Sequence, residues 1–297
     1  VPVKPVLKIL VALAIAAGLA FWFFSRPEPL APADLPQHQG DPVNGELVFH
    51  AAGCAACHGD NLAGGLELKT AFGTFRVPNI TPDSQDGIGA WSLLDFANAV
   101  QRGLSPSGQH FYPAFPYTSY VRMTPADVID LKAYLDTFEP VTGRVPESTL
   151  RFPFSVRRGI GLWKRLYLDP GPVIDVPDSD RVLQRGRYLV EALGHCGACH
   201  TPRNFLAGPD FSLWLGGASS LEGDGRVPNI TPSKDGLGSW STRDIAYYLK
   251  TGFTPDFDTV GGAMVDVQEN LARLPDADRE AIAAYLTAIP PVPDPAD

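Results

Sequence analysis

A chain of 297 residues is long enough for two or three domains, and its formal net charge of −9 sets it against polyanions. Nucleic acid and an anionic membrane face are thereby excluded as electrostatic partners, whereas a basic docking patch on another protein is not. All four cysteines fall in two short motifs, which leaves none for a disulfide framework or a separate catalytic thiol.

In chain order, Lys4 and Lys8 precede an apolar run from Ile9 to Phe24 that closes in Phe21-Trp22-Phe23-Phe24 and Arg26. With Val6 and Leu7 the run reaches about the thickness of a bilayer's hydrocarbon core, and its aromatic end suits a membrane interface. A signal peptide cleaved near Ala31-Pro32-Ala33 is the competing reading; the length of the run and its aromatic end favour a retained anchor. Lysines ahead of the run place the N-terminus in the cytoplasm and export everything after it. Five prolines between Pro27 and Pro42 then read as a semi-rigid spacer, so that residues 1–40 form anchor and spacer together.

A first domain is expected over residues 41–142. Gly45-Glu46-Leu47-Val48-Phe49 opens a short helix towards Cys54, and Thr124-Pro125-Ala126-Asp127 is a helix start whose helix should pack on the first. Residues 143–178 carry the one basic cluster, Arg157-Arg158 to Lys164-Arg165, beside Phe152 and Phe154. They read as a connector whose aromatics bury between two domains, or else as a docking patch for a partner or for haem propionates. The second domain, 179–297, ends in a helix from Asp276 to Leu286 and a proline-rich tail.

Each domain carries the motif that organises it: Cys54-Ala55-Ala56-Cys57-His58 and, 142 positions on, Cys196-Gly197-Ala198-Cys199-His200. Two thiols three positions apart followed by an imidazole can form two thioether bonds to a haem and bind its iron. A Cys-rich zinc site would need further thiols. Two covalently bound haems c are therefore expected, each serving as much of the core of a small domain.

The domains are copies. Arg76-Val77-Pro78-Asn79-Ile80-Thr81-Pro82 recurs as Arg226 to Pro232, followed in each case by a Gly-rich turn and a tryptophan, Trp91 and Trp240. The carbonyls of Pro78 and Pro228 can orient His58 and His200, and Arg76, Arg226, Trp91 and Trp240 are candidates to hold propionates. Opposite His200, Met264 supplies a thioether sulfur. Counted from the tryptophans, with Gly103 and Gly252 in step, the matching residue in the first domain is Phe115, which cannot ligate iron. Met123, His110 or an open site walled by Phe115 remain for that haem. A chain with two haems and two methionines most economically uses both, so Met123 is the expected ligand. His38, His50 and His195 read as structural.

The order CxxCH, RVPNITP, a GxGxW turn, Pro113-Ala114-Phe115-Pro116-Tyr117 or a Met-bearing equivalent, and a helix ending Ala133-Tyr134-Leu135 or Ala284-Tyr285-Leu286 resembles the cytochrome c subunits of membrane-associated bacterial dehydrogenases. The gluconate, alcohol and aldehyde dehydrogenase types are nearest. The resemblance implies an all-α fold of two tandem class I cytochrome c domains after the N-terminal transmembrane helix. It also implies an electron carrier rather than an enzyme, with its haem domains in the periplasm at the bacterial inner membrane. A dehydrogenase, a cytochrome bc complex, an oxidase or a soluble cytochrome would be its redox partner. Many such subunits carry three haems, a C-terminal anchor and a methionine where Phe115 stands, and this chain departs on all three points. The rivals are a peroxidase-like enzyme working at haem 1 and a wiring subunit of a larger assembly. Thiosulfate-oxidising dihaem enzymes fit less, since they use a Cys ligand and no cysteine is left over.

Overall fold

The computed structural model describes residues 3–220 and 225–293; the side chain of Lys4 and the last four residues of the tail lie outside them. Beyond Lys8, helix α1 (Val3–Phe24) is apolar on every side. Its Pro5–Phe24 segment is long and apolar enough to cross a membrane, and none of it is buried against the rest of the chain. At 1.5 Å per residue such a helix spans about 30 Å.

The first unit opens with α2 (Pro42–Ala51), started by the Asp41 carboxylate, which accepts the Val43 N–H at 2.9 Å, and by Pro42 in the first turn. The motif helix α3 (Cys54–His58) follows, then a hairpin of β1 (Glu67–Thr70) and β2 (Gly73–Arg76). Helices α4 (Leu93–Arg102), α5 (Tyr117–Tyr120) and α6 (Pro125–Leu135) complete the unit. Ser92 and Asp95 form a reciprocal capping box on α4, and Thr124 Oγ1 accepts the Asp127 N–H at the head of α6. After β3 (Thr149–Leu150) and α7 (Gly159–Tyr167) the pattern repeats. Helix α8 (Arg181–Arg187) runs into a π-helical turn (Tyr188–Leu193), then come the motif helix α9 (Gly197–His200), strands β4 (Ala218–Ser219) and β5 (Arg226–Val227), α10 (Thr242–Thr251), α11 (Met264–Ala272) and α12 (Asp276–Ala288).

In each unit the first and last helices cross closely, α2 on α6 and α8 on α12. The crossing points are glycines, because a Cβ on Gly45 would stand 2.1 Å from the Asp130 carbonyl oxygen and one on Gly186 would stand 2.0 Å from that of Ala281. The expected packing of the two helices thus rests on a missing side chain at each crossing.

The all-α expectation is overturned. Strands β1, β2 and β3 form an antiparallel three-stranded sheet, β4 pairs antiparallel with β5, and the fold is mixed α and β. The physical reason lies in Arg-Val-Pro: a residue before proline is pushed out of helical geometry, so Val77 and Val227 must be extended. An extended segment satisfies its backbone best by pairing, and the two-residue turn Ala71-Phe72, followed by Gly73 at φ +135, returns β2 against β1.

One buried cluster runs through both units, from Val48, Phe96 and Leu131 to Leu193, Ile245 and Leu286. Glu191 fastens the connector to the second unit. It is 1% exposed, and its carboxylate accepts the N–H groups of Val173 and Ile174 at 2.8 and 2.9 Å and the Tyr285 hydroxyl at 2.6 Å. Buried polar groups persist only when paired in this way.

The connector and the spacer differ from expectation. Phe152 is 83% exposed, so it does not bury between the units. The basic cluster instead caps α1: Arg158 donates to the Trp22 carbonyl at 2.8 Å and lies over the Trp22 ring, and Arg165 donates to the Phe24 carbonyl at 2.6 Å and pairs with Glu28 at 2.7 Å. The last carbonyls of a helix are unpaired and carry partial negative charge, which draws these guanidinium groups. The spacer lies on the first unit, with the Leu30 N–H on Asn98 Oδ1 at 2.7 Å and His38 Nε2 on Asp130 at 2.7 Å.

Candidate haem sites

His58 and His200 are backed alike. His58 Nδ1 meets the Pro78 carbonyl at 2.8 Å, and His200 Nδ1 meets that of Pro228 at 2.7 Å. A carbonyl only accepts, so Nδ1 carries the proton in both rings and Nε2 keeps its lone pair for a metal. Burial pushes the His58 imidazole down to about 4 and lowers that of His200, which keeps both neutral near pH 7. Burial also pushes the Cys54 and Cys196 thiols up to about 12, so both stay uncharged. Among the described residues no three His, Cys, Asp or Glu side chains converge as ligands of a bare ion. Two thiols and one imidazole in a single motif suit a macrocycle held at its edge and ligated at its centre.

The proline loops are fixed by residues that sequence reasoning passed over. Asn79 donates from Nδ2 to the Val141 carbonyl at 2.7 Å, while its Oδ1 accepts the N–H and hydroxyl of Thr81 at 2.8 Å each. Asn229 does the same with the Val292 carbonyl at 2.8 Å and with Thr231 at 2.9 and 2.8 Å. Each asparagine ties the proline loop to the segment beyond its unit's last helix. The identity of Asn-Ile-Thr in both repeats was the available signal. Gly64, at φ +73, completes the first loop: its N–H reaches the His58 carbonyl at 2.9 Å, and a Cβ there would stand 2.4 Å from the Pro78 carbonyl oxygen. Asn229 Nδ2 also reaches Ser233 Oγ at 3.1 Å, so Asn229→Ala is expected to cost about 2 kcal/mol through four lost bonds around buried groups. It should also broaden the haem 2 signal as Pro228 loosens, read by thermal unfolding alongside electron paramagnetic resonance (EPR).

The other expected residues lie as follows. Arg76 is engaged away from the motif, by Glu67 at 2.7 Å, the Glu147 carbonyl at 2.8 Å and Thr149 at 3.1 Å, while Arg226 stands exposed in β5. Trp91 and Trp240 are half-buried against the core, Trp240 edge-on to Tyr248 at 5.5 Å. Met264 begins α11, half-buried. Met123 is 3% exposed within the core cluster, and His110, 4% exposed, turns its Nε2 to the Ser25 carbonyl at 3.0 Å. His50 meets Asn270 at 3.1 Å across the two units.

The segments leading into the two motifs meet at one backbone atom. The Ala52 carbonyl, two residues before Cys54, accepts the Tyr120 hydroxyl at 3.0 Å and His195 Nε2 at 3.3 Å, and His195 directly precedes Cys196.

Paired attachment motifs with backed imidazoles on two duplicated helical units define a c-type cytochrome with two haems. The cytochrome c family model matches residues 42–139. The chain is 47% identical over 290 residues to a diheme cytochrome c-type of Cereibacter sphaeroides, covering 95% of this chain and 97% of that protein. It is 40% identical over 273 residues to the fructose dehydrogenase cytochrome subunit of Gluconobacter japonicus, and 37% identical over 266 residues to the gluconate 2-dehydrogenase cytochrome c subunit of Pantoea cypripedii. Those alignments cover 89% and 82% of this chain but 56% and 58% of the relatives, so the chain spans little more than half of each dehydrogenase subunit. The chain belongs to the cytochrome c family and carries two covalently bound haems c. It is an electron-transfer protein and not an enzyme in its own right, so the peroxidase-like reading falls away.

Proposed function

We propose that the chain is the membrane-anchored electron-transfer partner of a dehydrogenase, receiving electrons at one haem and passing them through the other to a respiratory acceptor. The observation that carries this reading is the meeting, at the Ala52 carbonyl, of the segments leading into the two motifs. Segments bearing Cys54 and Cys196 lie side by side there, so the thioether-linked edges of the two macrocycles belong to adjoining backbone. A bound haem supplies the one-electron iron couple. The protein supplies position: Pro78 and Pro228 orient the imidazoles, the asparagine clamps hold those carbonyls, and the core shared by both units keeps the sites in fixed relation. Met264 would supply the sulfur ligand of haem 2 in this reading, and Trp91, Trp240 and Arg226 are candidates to hold the propionates. Arg76, engaged by Glu67, the Glu147 carbonyl and Thr149, would steady the loop instead.

The relatives named as subunits of fructose, alcohol and gluconate dehydrogenases support a dehydrogenase as donor. The exposed apolar α1, and the two lysines at its start, support an inner-membrane anchor with the haem units in the periplasm. Clamped by Arg158 and Arg165, α1 would hold those units close over the bilayer. The test is to add alcohols, sugars or sugar acids to membranes containing the chain and follow its haem absorbance. One substrate class should reduce both haems, and removal of residues 1–24 should release the protein and end the reduction. Haems that stay oxidised with every substrate, in membranes whose dehydrogenases are active, would sink the proposal.

A further inference from the structure

The two units differ at one position that bears on iron chemistry. After α4 and α10 each builds the same loop: Leu104 bridges His110 as Phe253 bridges Thr259, each pair 149 positions from its copy. The Ser105 N–H reaches the Gln109 carbonyl at 2.9 Å, as that of Thr254 reaches Asp258 at 2.9 Å, and Phe111 bonds Gly103 at 2.7 Å where Val260 bonds Gly252 at 2.8 Å. Four residues further, this register sets Phe115 against Met264, both half-buried against the core.

Before the last helix a second register, 151 positions, takes over. The Arg122 N–H bonds Ser119 as that of Arg273 bonds Asn270, and Met123 bonds Tyr120 at 2.9 Å where Leu274 bonds Leu271 at 3.2 Å. Met123 therefore stands where its copy has Leu274, and each is 3% exposed. Each carbonyl is held by a buried side chain, that of Met123 by Gln101 at 2.8 Å and that of Leu274 by Arg279. A position filled by leucine in the copy is a packing position, and Met264 ligates without help from it. His110 is committed elsewhere, to the Ser25 carbonyl at 3.0 Å, where Gly161 lets α7 press against it.

Phe115 has no lone pair to give. Around it stand Phe111, Tyr117 and Tyr120, edge-on at 6.3, 6.4 and 5.7 Å. Both tyrosine hydroxyls are spent, that of Tyr120 on the Ala52 carbonyl at 3.0 Å and that of Tyr117 on the Phe111 carbonyl at 3.1 Å. A wall of ring edges with no spare donor favours an apolar neutral ligand over an anion such as azide.

We propose that haem 1 binds a small neutral diatomic molecule, of the carbon monoxide or nitric oxide class, on the iron face opposite His58, where Phe115 replaces the sulfur that Met264 gives its copy. The step is coordination alone: the ligand's carbon or nitrogen lone pair enters the open position, no bond breaks and no electron leaves. The inference rests on the two-haem reading, which is checked separately by counting haems per chain in alkaline pyridine.

Carbon monoxide is titrated into the reduced full-length holoprotein in detergent, and the optical difference spectrum is followed. Saturation at one ligand for every two haems is expected, with EPR of the oxidised protein giving one high-spin and one low-spin signal. Met123→Leu should leave both readouts unchanged, and Phe115→Met should lower carbon monoxide affinity about tenfold or more by placing sulfur on the iron. Two low-spin signals and no binding in the unaltered protein, with binding appearing only in Met123→Leu, would overturn the proposal and make Met123 the ligand. No binding in either would overturn it too. Two haems per chain in these cases would leave the two-haem reading standing; fewer than two would count against that reading.

Discussion

Replacing Met264 by leucine is expected to lower the midpoint potential of haem 2 by on the order of 0.1 V, a modest part of the range that axial ligands command. A thioether holds ferrous iron better than ferric, so its loss penalises the reduced state, whatever weak ligand takes its place. Because Met264 begins α11 half-buried at the core's edge, leucine should fit with little change of packing and leave the effect on the iron in isolation. Spectroelectrochemical titration resolves the two haems. A single shifted wave, with the other unmoved, is the expected result, and an unshifted pair would remove Met264 from the iron.

The second large effect is structural. Gly186→Val places side-chain carbon where the Ala281 carbonyl oxygen lies 2.0 Å from a Cβ, and backbone inside a helix cannot step aside. The α8 and α12 crossing must open, at a cost of more than about 3 kcal/mol, a large share of a domain's net stability. The buried Glu191 carboxylate would be strained as well, since it joins the turn after α8 to Tyr285 on α12. Haem content and unfolding midpoint should fall together in the second unit. Gly159→Ala, where nothing stands within 4 Å of a Cβ, should leave both unchanged and serves as the control.

The chemistry of this protein is local and therefore legible in the chain. Cys54, Cys57 and His58 need only their spacing to declare a haem, and the seven residues from Arg76 repeated from Arg226 declare the duplication. From the repeat also came the proline carbonyls behind the imidazoles, whose geometry the fold then supplies at 2.8 and 2.7 Å. Helix caps were equally legible, since Thr124 acts on an N–H three residues away. Strands were not. Of the Arg-Val-Pro that marked the repeat only Arg76 enters β2, whose pairing with residues 67–70 depends on the turn at Ala71-Phe72 rather than on any alternation of apolar residues.

What only the tertiary structure decided are matters between distant residues. Nothing near Arg158 or Arg165 points to the carbonyls of Trp22 and Phe24, more than 130 positions away, because a helix end attracts any cation that the fold brings to it. Counting from Trp91 and Trp240 already puts Phe115 in step with Met264, but that Met123 answers to a buried leucine, Leu274, came only with the backbone bonds of the two loops and the burial of both side chains. Composition and spacing determine which groups a chain owns; burial and register determine which of them are left to face the iron.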